Sequence, residues 1–279
     1  MSRLARVGRI RETLCLLSLL NVLIVGGSAA RAAQSESERV RTFGQLPDWT
    51  GIWENVEARQ AFIDEFARHD PSSDPAAGLQ ALFRSFKLMG HPPYTPEWEN
   101  SYRARLRDVA ALAKTAANGK SCTLPGFPFA MEWASLFQVI IVPEQTLFVF
   151  DSGAVRHVRT SGQSHPPPGD LWPTEMGDSV GHWEGTTLVI DTIERTPGPI
   201  GFGQGPELSE RAHFTEHLRM LDADTLEDRM TIEDPLRFTR LWEVSLRYRR
   251  VKNLDRLIAT GCEHDRNPVV HGHLVIAPP

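Results

Sequence analysis

The chain has 279 residues, of which 41% are hydrophobic and 23% are charged, and its formal net charge at pH 7 is −5. This length is sufficient for one large domain with a substantial core. An acidic chain without a run of Lys or Arg argues against nucleic acid and anionic membrane as partners.

The first 32 residues have the layout of a secretory signal peptide. Several arginines precede the apolar run Leu14–Val25, and Ala30 and Ala32 place small residues before a cleavage position. A bilayer-spanning helix needs roughly 20 residues, so an N-terminal membrane anchor is the weaker alternative. We predict cleavage after Ala32, a periplasmic or secreted location, and a single mature domain, 33–279. That domain would carry 25 basic and 34 acidic residues, a net charge of −9.

The first part of the mature chain, 33–120, is expected to be an N-terminal segment with helices that decorate the barrel, and residues 56–118 are predicted to be helical. Apolar periodicity predicts helices over Ala58–Arg68 and Leu79–Met89. A third helix is predicted to begin at Pro96, because Thr95 is a suitable N-cap and acidic residues occupy the first turn. We expect its apolar stripe to pack on the core; an exposed stripe would indicate an envelope interaction protein. The stripe comprises Trp98, Tyr102, Leu106, Val109 and Ala113.

From Leu136 onward the apolar period changes to two, and Gly, Pro and Asp separate the runs. Such runs predict an antiparallel sheet, sandwich or barrel rather than βαβ units, and we assign 121–279 to this β core. The predicted strands are Phe137–Val142, Thr146–Phe150, Ala154–Thr160, Thr186–Ile193, Ala212–Asp222, Leu226–Glu233 and Phe238–Arg250, with Trp49–Glu54 as an additional early strand.

Three charged residues fall on the apolar faces of these predicted strands. Alternation places Glu216, Asp228 and Arg240 on the same sides as their apolar neighbours. A buried charge must be paired or change its protonation. We therefore expect an internal Arg–carboxylate pair, or a polar floor in a barrel cavity with an acid available for proton transfer.

Polar and aromatic residues are densest between Arg159 and Thr192. His165, which three prolines follow, sits on a stiff turn and is the best candidate for a proton shuttle. The remaining candidates lie on or near a hairpin predicted to turn at Glu184-Gly185. They are His182, Glu184 and Asp191, with Trp172 and Trp183 as apolar walls of a pocket. The alternative role for Trp183 and Asp191 is structural, in closing a barrel.

No motif in the sequence indicates a cofactor. P-loop and HExxH motifs are absent, as are flavin, nicotinamide and haem signatures, so we predict neither cofactor nor metal. Gly198–Gly205 lacks the GxGxxG register and is interpreted as a surface loop. His271 and His273 could face a metal together, but no third ligand is near in sequence. His213 and His217 could do so only on a helix, because four residues of strand span about 13 Å.

Two cysteines remain after removal of the signal peptide, Cys122 and Cys262. In an oxidising compartment an even pair suggests a disulfide, with two buried free thiols as the alternative.

Eight sequence elements, in this order, resemble a large family of exported bacterial proteins. They are Pro47–Glu54 (PDWTGIWE), Pro92–Trp98 (PPYTPEW), Cys122–Pro128 (CTLPGFP), Ser161–Pro166 (SGQSHP), Gly177–Thr192 (GDSVGHWEGTTLVIDT), Asp222–Leu226 (DADTL), Thr231–Pro235 (TIEDP) and Gly261–His264 (GCEH). The most specific is the WEGxTLVxDT motif. The resemblance implies a mainly β fold, an antiparallel calycin-like barrel with a helical subregion, and it supports the disulfide.

The chain departs from this family in the element that precedes His165. Members read DGR-x-HP where this chain has Ser161, Gly162 and Gln163 before the His-Pro pair, so the acid and the Arg are lost. A few relatives are linked to cofactor-free lyase steps on lignin-derived aromatic dimers.

We therefore expect an exported, cofactor-independent lyase acting on a small hydrophobic or aromatic molecule in a barrel mouth. His165 would be the general acid or base. Glu184, Asp191 or Glu216 would relay the proton, and the expected substrate-binding residues are Trp172, Trp183, His182, Asp228 and Arg240. The alternative is a non-catalytic, lipocalin-like carrier of a hydrophobic small molecule.

Overall fold

The computed structural model describes residues 44–68, 85–107, 126–133, 136–201 and 205–257, and the backbone of 269–270 and 273–274. The chain divides into two compact units, and every element below belongs to the second, Asp48–Pro279. The predicted signal peptide, Cys122, Cys262 and His271 lie outside the described residues.

A closed barrel of nine strands forms the centre of this unit. In chain order the strands are β1 (Ile52–Asn55), β2 (Leu136–Val142), β3 (Gln145–Phe150), β4 (Val155–Arg159), β5 (Asp178–Glu184), β6 (Thr187–Ile193), β7 (Gly198–Pro199), β8 (Glu207–Leu208), β9 (His213–Asp222), β10 (Thr225–Glu233), β11 (Trp242–Val251), β12 (Val269–Val270) and β13 (His273–Leu274). Around the barrel, β1 to β6 follow chain order and are succeeded by β9, β10 and β11, which closes on β1. The pairs β7–β8 and β12–β13 are separate two-stranded sheets.

The prediction of a mainly β, calycin-like barrel with N-terminal helices is confirmed. Side chains alternate between the interior and the outer face; in β10, for example, Met230 and Ile232 are buried whereas Arg229 and Glu233 are exposed. The hairpin predicted at Glu184-Gly185 joins β5 to β6.

One joint of the barrel is parallel. A closed sheet with an odd number of strands cannot alternate direction throughout, and here β4 and β5 are the parallel neighbours. A parallel pair needs a crossover connection of a dozen or more residues. The segment 160–177 provides it, and we call it the crossover; it carries His165, the triple proline and Trp172.

Helices occupy the connection between β1 and β2. They are α1 (Val56–Arg68), α2 (Pro96–Arg107) and α3 (Phe129–Glu132). α2 begins at Pro96 as predicted, and its Tyr102 is buried against Tyr94, with ring centroids 5.4 Å apart. Of the predicted helix Leu79–Met89, residues 79–84 lie outside the described part and Lys87–Met89 form a 3-10 turn. None of the helices in the described ranges is long and apolar enough to span a membrane.

The main core lies inside the barrel. Trp53, Phe137, Phe148 and Tyr248 are at most 2% exposed. The ring centroid of Phe137 lies 5.0 Å from that of Tyr248 and 6.1 Å from that of Phe148. Burying each side chain of this kind contributes roughly 1.5–3 kcal/mol. Because these aromatic side chains fill the described interior, open polar chemistry must lie at the barrel ends or on the outer face.

Candidate functional site

A chain of polar side chains crosses the outer face of the barrel at the parallel joint. It begins on β4 with Arg159, whose Nη1 and Nη2 donate to the two carboxylate oxygens of Asp178 at 2.8 and 2.7 Å. Asp178 is the first residue of β5, so this bidentate pair connects the two parallel strands at the end where the crossover arrives.

His165 fastens the crossover to the barrel. Its Nδ1 lies 2.5 Å from Asp178 Oδ1, and its Nε2 lies 2.8 Å from Asp191 Oδ1, on β6. Both contacts are hydrogen bonds only when the ring carries a proton on each nitrogen, because a carboxylate oxygen accepts and does not donate. With both nitrogens committed to carboxylates, His165 is placed to hold two acids in position.

His213 extends the chain of contacts onto β9. Its Nε2 lies 2.7 Å from Asp191 Oδ2, so one carboxylate serves both imidazoles, and its Nδ1 lies 3.9 Å from Glu233 Oε2, too far for a direct hydrogen bond. The side chain of His213 is 37% exposed, against 18% for His165. His213 is therefore the imidazole in this group that solvent or a substrate can reach.

The protonation equilibria of the group are shifted in a consistent direction. The hydrogen bond from His213 is the main cause that lowers the pKa of Asp191, and the same bond raises the pKa of His213 above its ordinary 6.5. Arg159, followed by His165, lowers the pKa of Asp178. Near neutral pH the two acids are therefore ionised, and His213 changes its charge at a pH above its ordinary range.

A second polar network lies inside the barrel, behind the first. Arg156 on β4 forms a bidentate ion pair with Glu216 on β9, and both side chains are at most 1% exposed. Its Nη2 also donates to Thr192 at 2.9 Å and to Ser179 at 3.3 Å, and its guanidinium lies 3.9 Å from the ring centroid of Phe127. The internal Arg–carboxylate pair expected from the sequence is present, with Arg156 as the cation and Glu216 as the carboxylate.

Asp228 lies beside this internal pair. Burial and then the neighbouring Glu216 raise its pKa well above the ordinary value, which favours the protonated, neutral form of the carboxyl. Neither of its oxygens has a donor within reach, because its neighbour Glu216 is also a carboxylate; the protonated Asp228 can itself donate to Glu216.

The structure brings some of the predicted site residues together and separates others. His165 and Asp191 are in contact, whereas Glu216 and Asp228 face the interior. His182 and Glu184 bond to each other at 3.1 Å. They lie toward the far end of the β5–β6 hairpin from Asp178, about 13 Å (His182) and about 20 Å (Glu184) along the strand.

The two tryptophans predicted to line one pocket, Trp172 and Trp183, lie in different environments. Trp183 packs on the core and contacts Trp49, with ring centroids 5.1 Å apart, whereas Trp172 on the crossover is 72% exposed. The prediction that Arg240 shares the inward face was wrong. β11 begins only at Trp242, so Arg240 lies in the turn before the strand and is exposed.

Sequence reasoning missed four members of these networks: Arg156, Arg159, Asp178 and the role of His213. Their partners come from strand pairing between distant segments, which local patterns do not show. His213 was considered only with His217, and because both lie on the strand β9 this pair cannot converge. In the described part of the chain, no three His, Cys, Asp or Glu side chains are arranged to hold a metal ion.

Comparison of the chain with protein-family models, with curated proteins and with solved structures finds no match in any of the three. The family resemblance inferred from the motifs therefore stays a prediction.

Proposed function

We propose that the protein is an exported acid–base enzyme, a lyase that removes a proton from a small hydrophobic or aromatic substrate at the barrel end where β9 begins. The observation that supports this proposal is the solvent-facing pair of His213 and Asp191, 2.7 Å apart. An imidazole oriented by a carboxylate and open to solvent on its other nitrogen is the usual arrangement of a general base.

The other side chains have supporting roles in this proposal. Asp191 orients the ring of His213 through Nε2, and in this proposal Nδ1, which lies 3.9 Å from Glu233 Oε2, takes the proton from the substrate. His165 holds Asp191 from the opposite side, which makes it a positioning residue rather than the base. The exposed ring of Trp172, on the same crossover as His165, provides a surface on which an aromatic substrate could stack.

The reaction that suits this arrangement is loss of water from a hydroxylated side chain of the substrate. His213 takes the proton from the carbon adjacent to the one that bears the hydroxyl, and the C–H electrons form a double bond. The C–O bond breaks, and the hydroxide leaves as water with the proton that the imidazolium returns. The oxidation state of the substrate plus water is unchanged, so the step needs only acid–base groups.

The test uses a 1-hydroxy-1,2-diarylethane as the probe, because its dehydration gives a stilbene that absorbs in the near ultraviolet. Wild-type protein should form the stilbene, and His213→Gln should lose at least about 100-fold in rate. His182→Gln is the matched control, since it removes an exposed imidazole at the far end of the β5–β6 hairpin, and it should keep the wild-type rate.

The pH profile provides an independent readout. If neutral His213 is the base, kcat/KM should rise with pH through a pKa above 6.5, because the hydrogen bond to Asp191 raises the pKa of His213. Full turnover by His213→Gln would contradict the assignment. A change in Trp fluorescence on addition of the probe without any stilbene would favour the lipocalin-like carrier instead.

A further inference from the structure

A second group of charged side chains lies on the outer face where β9, β10 and β11 run side by side. Glu227 on β10 pairs in register with Arg219 on β9 and with Arg247 on β11. Arg219 Nη2 and Arg229 Nε each donate to Glu227 Oε2 at 3.0 Å, and Arg247 Nε lies 3.9 Å from Oε1. We call these four residues the arginine patch.

The patch is positively charged and open to solvent. Glu227 is 4% exposed, whereas the side chains of Arg219, Arg229 and Arg247 are 44%, 62% and 57% exposed. Three guanidinium groups around one carboxylate leave a local charge of +2 on a chain whose net charge is −5. The sequence indicates only part of this patch, through Arg247 in the basic segment 247–252 (RYRRVK), because the sheet register brings in Arg219 and Arg229 from two other strands.

The shared carboxylate holds the three guanidinium groups close together. Arg229 gives Glu227 its Nε–H, and Arg247 lies beyond hydrogen-bond distance of it, so the terminal Nη groups of both remain available to a ligand. A guanidinium presents paired N–H donors that match two oxygens of a phosphate. Several guanidinium groups that converge on one place suit a tetrahedral oxyanion, such as phosphate, better than they suit a single carboxylate.

The surroundings of the patch favour a small ligand over a broad anionic surface. A polar cavity of about 500 Å³ lies at the adjoining β9–β10 turn, and Arg249, two residues beyond Arg247 on the same face of β11, lines it. Its other lining residues are Asp222, Asp224, Thr225, Arg250 and Lys252. The lining combines two acids with three cations, and Asp224 is paired with Lys252 at 2.6 Å, so the cavity suits a small molecule that carries both an anionic group and hydroxyl groups.

We propose that the arginine patch binds the phosphate group of a small phosphorylated, hydroxyl-bearing molecule whose remaining part occupies the adjoining cavity. This site is separate from the pair His213–Asp191, because Arg219 lies six residues along β9 from His213, about 20 Å away. The proposal therefore does not depend on the proposed lyase activity.

The experiment is isothermal titration calorimetry of the full chain with glucose 6-phosphate, inorganic phosphate and glucose, each titrated separately. Glucose 6-phosphate should bind, inorganic phosphate should bind more weakly, and glucose should give no heat of binding. Arg229→Gln and Arg247→Gln should each raise the Kd for glucose 6-phosphate about 5- to 10-fold. Arg103→Gln, which removes a guanidinium that is 69% exposed on α2, is the matched control and should leave the Kd unchanged.

Three results would overturn the proposal. One is the absence of binding by glucose 6-phosphate, and another is equal affinity for inorganic phosphate, which would remove the role of the cavity. The third is binding to phosphatidylglycerol vesicles without binding of glucose 6-phosphate, which would make the patch a membrane contact. Thermal melts of the variants distinguish loss of binding from loss of fold, since exposed Arg→Gln changes should leave Tm nearly constant.

Discussion

Replacing Arg156 with Met tests whether the buried ion pair is an essential part of the barrel. The substitution leaves Glu216, 0% exposed, without its cation, and it removes the hydrogen bonds to Thr192 and Ser179. Breaking a buried pair by removing one partner typically costs about 3–5 kcal/mol, because an uncompensated charge remains. That is a large share of the roughly 5–15 kcal/mol by which a domain is stable.

The same reasoning predicts how the loss varies with pH and with a second substitution. In Arg156→Met the unpaired, buried carboxyl of Glu216 can bind a proton and become neutral, which removes the cost of a buried charge. The loss in free energy of unfolding should therefore be smaller at pH 5 than at pH 8. Arg156→Met combined with Glu216→Gln removes both charges and should recover to within about 1–2 kcal/mol of the wild type, since Met fills most of the volume of Arg.

Urea denaturation followed by Trp fluorescence at the two pH values measures these differences. Arg103→Met, at an exposed ion pair on α2, is the control and should change the free energy of unfolding by less than about 1 kcal/mol. Equal losses in the single and the double variant, with no dependence on pH, would show that packing rather than charge governs this site and would refute the reasoning.

Three further predictions concern stability. Burial raises the pKa of Glu132 to about 7, and the hydrogen bond to Asp191 raises that of His213, so both bind protons more tightly in the folded state. The free energy of unfolding should therefore fall as pH rises from 5 to 8, by up to about 3 kcal/mol from Glu132 alone, and Glu132→Gln should flatten the slope in melts across that range. Gly177→Ala should lower the free energy of unfolding, measured by chemical denaturation, by about 2 kcal/mol, because φ is 71° and a Cβ would lie 2.8 Å from a backbone oxygen. Gly185→Ala, where φ is 62° and the space is open, should lower it less. Asp178→Asn should speed cleavage of the crossover in limited proteolysis, since it weakens the hold on Arg159 and His165 together.

Strand periodicity predicted much of the barrel because each strand carries its own alternation. Along β9 and β10 the apolar residues recur every second position, so the inward orientation of Glu216 and Asp228 followed from the pattern alone. Their cation was not predictable in this way. In β4 the apolar Val155 is 37% exposed and Arg156 is 1% exposed, the reverse of the expected pattern, and only pairing across the barrel gives the reason.

The candidate site could be predicted only in part for a related reason. His165 was identified because three prolines stiffen its turn, a purely local feature. Its relation to His213 depends on β6 pairing with β9, after the separate β7–β8 hairpin between them. Contacts between segments of such sequence separation are set by topology, and a single sequence does not reveal the order of strands in a sheet.

The parallel joint explains why both polar networks lie where they do. β4 and β5 are paired in register at Val158↔Ser179 and Arg159↔Val180, a short ladder for neighbours in a closed barrel. Side chains supplement the backbone there, with Arg156 reaching across β5 and β6 inside and Arg159 binding Asp178 outside.

The outer network thus combines a structural end, Asp178 with Arg159 and His165, and an acid–base pair, His213 with Asp191. These two ends should respond differently to mutation. His213, at the exposed end, contributes one hydrogen bond, so His213→Gln should lose turnover of the stilbene-forming probe while Tm changes little. Asp178, at the joint, receives both Arg159 and His165, so Asp178→Asn should lower Tm and turnover together. If His213→Gln lowered Tm as much as Asp178→Asn and turnover followed Tm in both, the whole network would be a structural clasp and the catalytic proposal would fail.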